Sequence, residues 1–470
     1  MSNLRYVCLS DVHFGASNSM LTHLDARGEV EPSQPSRTLV ALVDCLRKLR
    51  EDLGGPPPQL VLNGDVLDLA LSSTSAASMA FERFVERAFP ASGPQLFAPE
   101  ILFIPGNHDH HLWESARELL HADRVRACPI GEPLPDEQHH TQMFAPSSVQ
   151  STYMTALLQR RTKREGALVR TAYPAFGALS SDGNRCVLFH HGHYAEPLYY
   201  LVTSVIDLLF PKRKRPEALS DFEAENFSWI DFFWGTLGRS GDAGKRVGLI
   251  YDKLQDSDAT TKLVRDGLAN LAARDGHVGL WERVGLHAVD GLIGPVIEHV
   301  TSAGRNASSQ PFSDEARASL TKLIAGPLLA EVKHELGRVP REVTLVYGHT
   351  HKPFEGQVEI AGMESPVRLF NSGGWVVDSP DPSPAEGGAM ILIDDNLDVA
   401  SLRLYNEENR PSDYQVRVEA GPRGAVAGSL AERVAALIDY ARDPWWAFSQ
   451  IAAECVDERQ QVLRNAIAQP

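Results

Sequence analysis

The sequence lacks the features that would place this protein in a membrane or outside the cell. No apolar run reaches the roughly 18–20 residues that a membrane-spanning helix requires. The N-terminus shows no basic segment followed by an apolar one, so we expect no secretory signal. Only five cysteines occur, scattered and without C-x-x-C pairing, which is typical of reduced thiols rather than of a disulfide framework. These absences favour a cytoplasmic protein.

Excess positive charge is missing as well. The 470 residues carry 45 Lys and Arg against 61 Asp and Glu, which gives a formal net charge of −16. Bulk nucleic-acid binding depends on a basic surface that displaces counterions, so this composition argues against it. Hydrophobic residues make up 43% of the chain, which is typical of a globular protein with a large core.

Several short apolar runs, rich in Val, Ile and Leu, end in polar clusters. They cover residues 4–9, 60–62, 101–104, 186–189 and 343–347. Runs of this kind, bounded by Gly and Pro, are typical of buried strands. Each strand would deliver its polar residues at its carboxyl end, where open α/β sheets place ligands.

The remaining patterns divide the chain into segments. Helical spacing predicts helices at 36–53 and 113–121. After residue 343 the pattern turns to β and predicts a second sheet, with strands at 367–371, 389–393 and 400–405. The boundaries that follow are a core at 1–195 and 341–426, a mostly helical insertion or cap at 196–340, and C-terminal helices at 427–470.

Side chains that bind metals or carry protons cluster at the predicted strand ends. They are two carboxylates, one amide and five imidazoles: Asp11, His13, Asp65, Asn107, His108, His191, His349 and His351. Oxygen ligands suit Mg²⁺ and Mn²⁺, whereas imidazole suits Zn²⁺, Fe, Ni and Mn²⁺. A mixed set of this size, with Asp65 free to bridge, fits two cations roughly 3.5–4 Å apart. Such a pair can activate a bridging water and clamp the oxygens of a displacement at phosphorus.

The order of five motifs resembles that of the calcineurin-like metallophosphoesterase family. D-x-H, G-D-x-x-D, G-N-H-D, H-G-H and G-H-T-H occur, in that order, at residues 11–13, 64–68, 106–109, 191–193 and 348–351. As a set these motifs are very specific, and the resemblance covers about residues 4–195 and 341–405. It implies an α/β fold in which a two-sheet sandwich is flanked by helices, here with a long, mostly helical insertion.

The resemblance also implies which residues hold metal. Three residues would hold the first ion, three the second, and one carboxylate would bridge them: Asp11, His13 and His351; Asn107, His191 and His349; and Asp65. The implied cofactors are two divalent ions, Mn²⁺ first, with Mg²⁺, Fe, Ni²⁺ or Zn²⁺ as alternatives.

By the same resemblance His108 would not be a ligand. It would lie over the scissile phosphate, stabilise charge and protonate the leaving oxygen, and Asp68 would orient it by accepting its other ring proton. Phosphoprotein phosphatases of this superfamily continue the second motif with Asp-Arg-Gly, but Leu69 and Ala70 follow Asp68 here, which disfavours a protein phosphatase. The segment N-S-G-G-W at 371–375 resembles the Asn-x-Gly-x-Trp stretch of bacterial members, including those that split the diphosphate of lipid A precursors.

These patterns predict a metal-dependent phosphohydrolase acting on a phosphorylated small molecule or a lipid-linked phosphate ester or pyrophosphate. A nuclease or cyclic-nucleotide phosphodiesterase is an alternative on the same site, although the acidic balance disfavours a long-polymer nuclease. An inactive metal-binding interaction scaffold is an alternative of another class, but such relatives usually lose His108 or a ligand.

An apolar stretch followed by a basic run suggests peripheral membrane contact through residues 198–215. A buried cap helix whose solvated basic end complements the helix dipole is the favoured interpretation of the same residues.

Overall fold

The described residues form two large β-sheets packed face to face, with helices on both outer sides, and a separate two-stranded sheet. A computed structural model describes residues 2–145, 149–231, 314–421, 424 and 426–468. This arrangement confirms the two-sheet sandwich flanked by helices that the motifs imply. Part of the predicted insertion, residues 232–313, lies outside the described residues.

The strands are numbered in chain order over the described residues. They are β1 (Leu4–Leu9), β2 (Thr22–Leu24), β3 (Val30–Pro35), β4 (Gln59–Asn63), β5 (Glu100–Ile104), β6 (Leu168–Thr171), β7 (Ala175–Leu179), β8 (Arg185–His190), β9 (Glu342–Tyr347), β10 (Phe354–Val358), β11 (Val367–Asn371), β12 (Gly387–Asp394), β13 (Val399–Asn406) and β14 (Arg417–Glu419). All five apolar runs that end in polar clusters are strands, which confirms those predictions.

The α-helices are numbered in the same way. They are α1 (Arg37–Leu53), α2 (Thr74–Ala88), α3 (His110–Ala127), α4 (Thr152–Thr162), α5 (Leu201–Leu209), α6 (Leu219–Ile230), α7 (Asp314–Leu323), α8 (Leu329–Leu336), α9 (Leu430–Ala435) and α10 (Trp445–Ala468). The N-terminus of α1 is capped by Ser36, whose side chain accepts a hydrogen bond from the backbone N–H of Leu39 at 3.0 Å. None of the helices within the described residues combines the length and apolarity needed to cross a bilayer.

The larger sheet has the strand order β14-β13-β12-β1-β4-β5-β6, and the smaller sheet has the order β10-β11-β9-β8-β7. In the larger sheet the neighbouring strands β1, β4, β5 and β6 are parallel to one another. In the smaller sheet β8, β9 and β11 are parallel. The carboxyl ends of the motif-bearing strands therefore meet at one edge of each sheet.

One prediction about the second sheet was wrong in part. Of the three later β runs only β11 joins the smaller sheet, whereas β12 and β13 extend the larger sheet by antiparallel pairing beside β1. Both β12 and β13 are buried along their whole length. Because both faces of these strands are buried, their sequences show no exposed face that would indicate which sheet they join.

The core consists of three buried layers. Side chains from both sheets, such as Tyr6 and Phe189, meet between the sheets. Helices α1, α2, α4 and α10 cover the outer face of the larger sheet. Helices α6, α7 and α8 of the insertion cover the smaller sheet, so the described part of the insertion packs on the core.

Candidate metal centre

The residues predicted to bind metal all lie just beyond the carboxyl ends of motif-bearing strands. They follow β1, β4, β5, β8 and β9, and they are Asp11, His13, Asp65, Asn107, His191, His349 and His351. None of these seven side chains belongs to a residue more than 3% exposed. Burial of this many polar groups is costly unless each has a partner or a ligand.

The backbone of this region is strained. Among the described residues seven non-glycine residues have positive φ, and five of them belong to the predicted centre: Asp11, His13, Asp65, His349 and His351. Residues other than glycine rarely adopt this conformation, which costs on the order of 1–3 kcal/mol each. Backbone hydrogen bonds between the loops hold it, such as Asp11 N–H to Gly64 O at 3.0 Å and His13 N–H to Asp65 O at 2.9 Å.

At two motif positions only glycine fits into the available space. A Cβ atom on Gly106 would lie 2.3 Å from Asp65 Oδ1, and one on Gly348 would lie 2.1 Å from Asp11 Oδ2. Both distances are far shorter than real Cβ contacts, so any side chain at these positions would displace a carboxylate of the centre.

A first group of potential ligands consists of Asp11, His13 and His351, whose ligand atoms lie within 4.8 Å of one another. His351 Nε2 is 3.5 Å from Asp11 Oδ1. The opposite ring nitrogen, Nδ1, is 2.5 Å from Oδ2 of Asp378. The outer carboxylate thereby fixes the ring with Nε2 toward Asp11.

A second group consists of Asp65, His191 and His349, within the same 4.8 Å limit. His191 Nε2 is 3.3 Å from Asp65 Oδ2 and 3.1 Å from Asn107 Oδ1. Asp65 Oδ2 also faces the first group, at 3.7 Å from His13 Nε2. The structure therefore brings all seven predicted ligands together and places Asp65 between the two groups.

The donor set suits divalent cations. Asp65 Oδ2 and His13 Nε2 are buried and have no hydrogen-bond partner among the described residues. Burial lowers the pKa of His191, but Asp65 and Asp11 outweigh it and raise the pKa to about 9. The buried carboxylates of Asp11 and Asp65 give the centre negative charge, which a bound cation would neutralise.

His108 lies beside the first group, with its ring 4.7 Å from that of His13. Its Nδ1 is 3.3 Å from Asp68 Oδ1, as the resemblance implies, while Asp68 Oδ2 is 3.1 Å from His13 Nδ1. Potential ligand atoms of His13, Asp68 and His108 also lie within 4.8 Å of one another. Because both oxygens of Asp68 already face outer ring nitrogens, we interpret Asp68 as an acceptor that orients two imidazoles.

Several residues that support the centre were missed from the sequence. Asp109 Oδ1 accepts a hydrogen bond from Gly106 N–H, and its Oδ2 accepts one from Val66 N–H, both at 2.7 Å. It is the last residue of G-N-H-D, so the motif itself carried the signal. The backbone carbonyl of Asn63, which lies 3.1 Å from His191 Nδ1, has no side-chain signal at all.

The segment at 371–375 also supports the metal loop. Trp375 N–H donates to the carbonyl of Asp11 at 2.8 Å, and the hydroxyls of Ser372 and Ser10 lie 2.6 Å apart. The segment that resembles the stretch of bacterial members therefore contacts the loop that carries the first motif.

A second buried polar cluster joins the insertion to the core. Glu223 of α6 accepts hydrogen bonds from the hydroxyls of Tyr173, at 3.0 Å, and Tyr194, and its Oε1 is 3.1 Å from His110 Nε2. Burial lowers the pKa of His110, but Asp231 and Glu223 raise it to about 9. His110 begins α3, directly after the motif that contains His108, so the insertion is attached close to that motif.

The model of the calcineurin-like phosphoesterase family matches residues 4–353. No curated protein matches the sequence. The matched region contains all five motifs and spans well over half of the 470 residues. The chain therefore belongs to the calcineurin-like phosphoesterase family.

Proposed function

We propose that this protein hydrolyses phosphate esters or anhydrides with two divalent cations and with His108 as the general acid. The observation that carries the proposal is the position of Asp65 between two buried groups of carboxylate and imidazole ligands. When bound, two divalent cations supply Lewis acidity that activates a water and stabilises charge at phosphorus, with Mn²⁺ as the first candidate. The residues that would hold them are Asp11, His13, Asp65, Asn107, His191, His349 and His351.

His108 donates a proton to the leaving group. Its Nδ1 faces Asp68 at 3.3 Å, so Nε2 is the nitrogen from which a proton passes to the leaving oxygen. Asp68 stabilises the protonated ring and fixes its orientation. Asp65 fixes the backbone at the same point, since His108 N–H donates to Asp65 Oδ1 at 2.8 Å.

The proposed substrate is a phosphorylated small molecule or a lipid-linked phosphate ester or pyrophosphate, met in the cytoplasm. The acidic composition and the absence of an Arg after Asp68 support this class over polymers and phosphoproteins. Peripheral contact of residues 198–215 with an anionic membrane belongs to the same proposal. It is supported by Phe210, which is 61% exposed, and by the exposed Lys212 and Lys214.

The test is a substrate panel assayed with Mn²⁺, Mg²⁺, Ni²⁺ and Zn²⁺. It contains phosphomonoesters, phosphodiesters, nucleotides and lipid pyrophosphates, each measured with and without EDTA. We expect turnover that requires a divalent ion and disappears in excess chelator. Full activity in EDTA would contradict the proposal. Preferential cleavage of cyclic nucleotides or nucleic acid would instead favour the diesterase alternative.

A further inference from the structure

The four imidazoles assigned to metal in the proposed function are each held from outside. Three of the outer partners come from the core: the carboxylates of Asp68 and Asp378 and the backbone carbonyl of Asn63. In each case the partner lies against Nδ1, and Nε2 points toward the central carboxylates. An outer acceptor of this kind fixes the ring and raises the basicity of the nitrogen that binds metal.

His349 has a different outer neighbour. Its Nε2 lies 3.2 Å from Oε1 of Glu196, the first residue of the predicted insertion. The Glu196 side chain is 18% exposed and that of His349 is fully buried. The ring of Tyr199, also from the insertion, meets the His349 ring edge-on with centroids 5.1 Å apart. The insertion therefore contacts His349 through both a carboxylate and an aromatic ring.

The backbone of His349, in contrast, is held by the core. Its N–H donates to the carboxylate of Asp11, at 2.9 Å to Oδ1 and 3.0 Å to Oδ2. The core thus places the main chain of this residue, while the orientation of its ring is left to side-chain contacts.

We propose that Glu196 is the outer acceptor of His349 and thereby sets the affinity of the second metal position. With Glu196 Oε1 against Nε2, Nδ1 would be the nitrogen that serves as ligand, the reverse of the arrangement at the other three rings. The insertion is then part of the metal centre rather than only its rim. This inference rests on the proposed function, because it requires that His349 bind metal.

The test measures Mn²⁺ binding by calorimetry to apo protein prepared with chelator. Glu196→Ala should weaken one of two binding events by roughly 10- to 100-fold, the usual effect of removing an outer partner. Glu196→Gln keeps a carbonyl oxygen that can accept the proton, so its loss should be clearly smaller. Glu217→Gln is the matched control, since Glu217 belongs to the same insertion and its side chain is 71% exposed.

Asp11→Asn assigns the event to a position, because it should remove the first metal and leave one event. In that background Glu196→Ala should weaken the remaining event, whereas Asp378→Ala should leave it within about twofold. Unchanged affinity in Glu196→Ala, or an equal loss in Glu196→Gln, would overturn the inference, the latter because it indicates direct ligation by the carboxylate. Wild-type protein that binds no Mn²⁺ would instead contradict the proposed function itself. Unfolding in chelator, followed by circular dichroism, checks that each variant is folded.

Discussion

The core and the insertion contribute to the centre by different physical means. The core supplies ligands from loops whose backbone is strained into positive φ at five of the seven predicted ligands. The insertion supplies side chains that support those loops, Glu196 at His349 and Glu223 at His110 and Tyr194. The proposed chemistry therefore depends on short motifs with fixed backbone geometry, whereas the described part of the insertion makes tertiary contacts that carry no motif.

This difference bears on how the insertion can be removed experimentally. If residues 196–340 only shaped the rim, their removal would spare the turnover of a small aryl phosphate. Glu196 lies against a predicted ligand, so a deletion that begins at residue 196 removes part of the support of the centre. A linker that starts after Tyr200 separates the two roles, because it retains both Glu196 and Tyr199.

The largest effect is expected where both ligand groups meet. Asp65→Asn replaces the carboxylate whose Oδ2 faces His13 and His191 with a neutral amide. Two-metal chemistry contributes several kcal/mol to such reactions, so we expect turnover to fall by at least about 10³-fold and metal content to fall with it. Metal analysis and aryl phosphate turnover measure both. Asp123→Asn, at a side chain that is 71% exposed, is the control, and two tightly bound ions in Asp65→Asn would show that Asp65 does not bridge.

The next effect separates the general acid from the ligands. His108→Ala should slow turnover by roughly 10²–10⁴-fold while metal content stays near that of the wild type. The loss should shrink for esters with very good leaving groups, because these depart without a proton. His111→Ala, in the first turn of α3 just after the motif and near Asp231, provides the control. Loss of metal together with activity would assign His108 to the ligands instead.

The motifs identified side chains that the fold brings together, because the strand ends that carry them are local features of the sequence. Asp11-Val12-His13, for example, follows a short apolar run, and the run is β1. The helix predicted at 113–121 is longer at both ends, since α3 spans His110–Ala127. Its first residue, His110, belongs to a buried cluster whose other members are distant in sequence. The sequence around His110 gives no sign that this side chain is buried, because its partner Glu223 lies far away in the sequence.

The acidic residues that lie against the ligand rings from outside could not be predicted either, because their contacts depend on the fold. Asp378 reaches His351 across 27 positions, and Glu196 reaches His349 from the other side of the insertion. Isolated acidic residues are common on protein surfaces, and only the fold shows which of them faces a ring nitrogen. The prediction that β12 and β13 belong to the second sheet was wrong for a similar reason, because strand pairing depends on topology rather than on the composition of a strand.

The buried contacts that attach the insertion to the core should contribute mainly to the free energy of unfolding. Glu223→Ala leaves His110 and the hydroxyls of Tyr173 and Tyr194 buried without their common acceptor. Breaking a buried pair in this way costs about 3–5 kcal/mol, which denaturant unfolding measures. Glu217→Ala, at an exposed pair with Lys214, should change the free energy of unfolding by about 1 kcal/mol or less. Similar losses in both variants would mean that the Glu223 cluster does not hold the insertion to the core.

The smallest effect concerns the basic run at the end of α5. The run is partly neutralised within the insertion, because Arg213 pairs with Asp207 and Glu225, and Arg215 lies 3.3 Å from Asp207. Lys214 also lies 3.7 Å from Glu217, but both side chains are more than 70% exposed, so this pair is weak and we expect Lys212 and Lys214 to act on a membrane.

Each lysine near an anionic surface contributes about 1 kcal/mol, so replacing both with Gln should lower partition onto phosphatidylserine vesicles by at most about thirtyfold. Neutral phosphatidylcholine vesicles, and high salt, should abolish the difference because the attraction is electrostatic and screened. Arg213→Gln is the contrasting variant, since it should loosen the insertion with little change in vesicle binding. Sedimentation that is equal for wild type and the lysine variant on both lipids would leave α5 as a helix of the cap with no role at the membrane. Such a result would confine the contribution of the insertion to the contacts it makes with the centre.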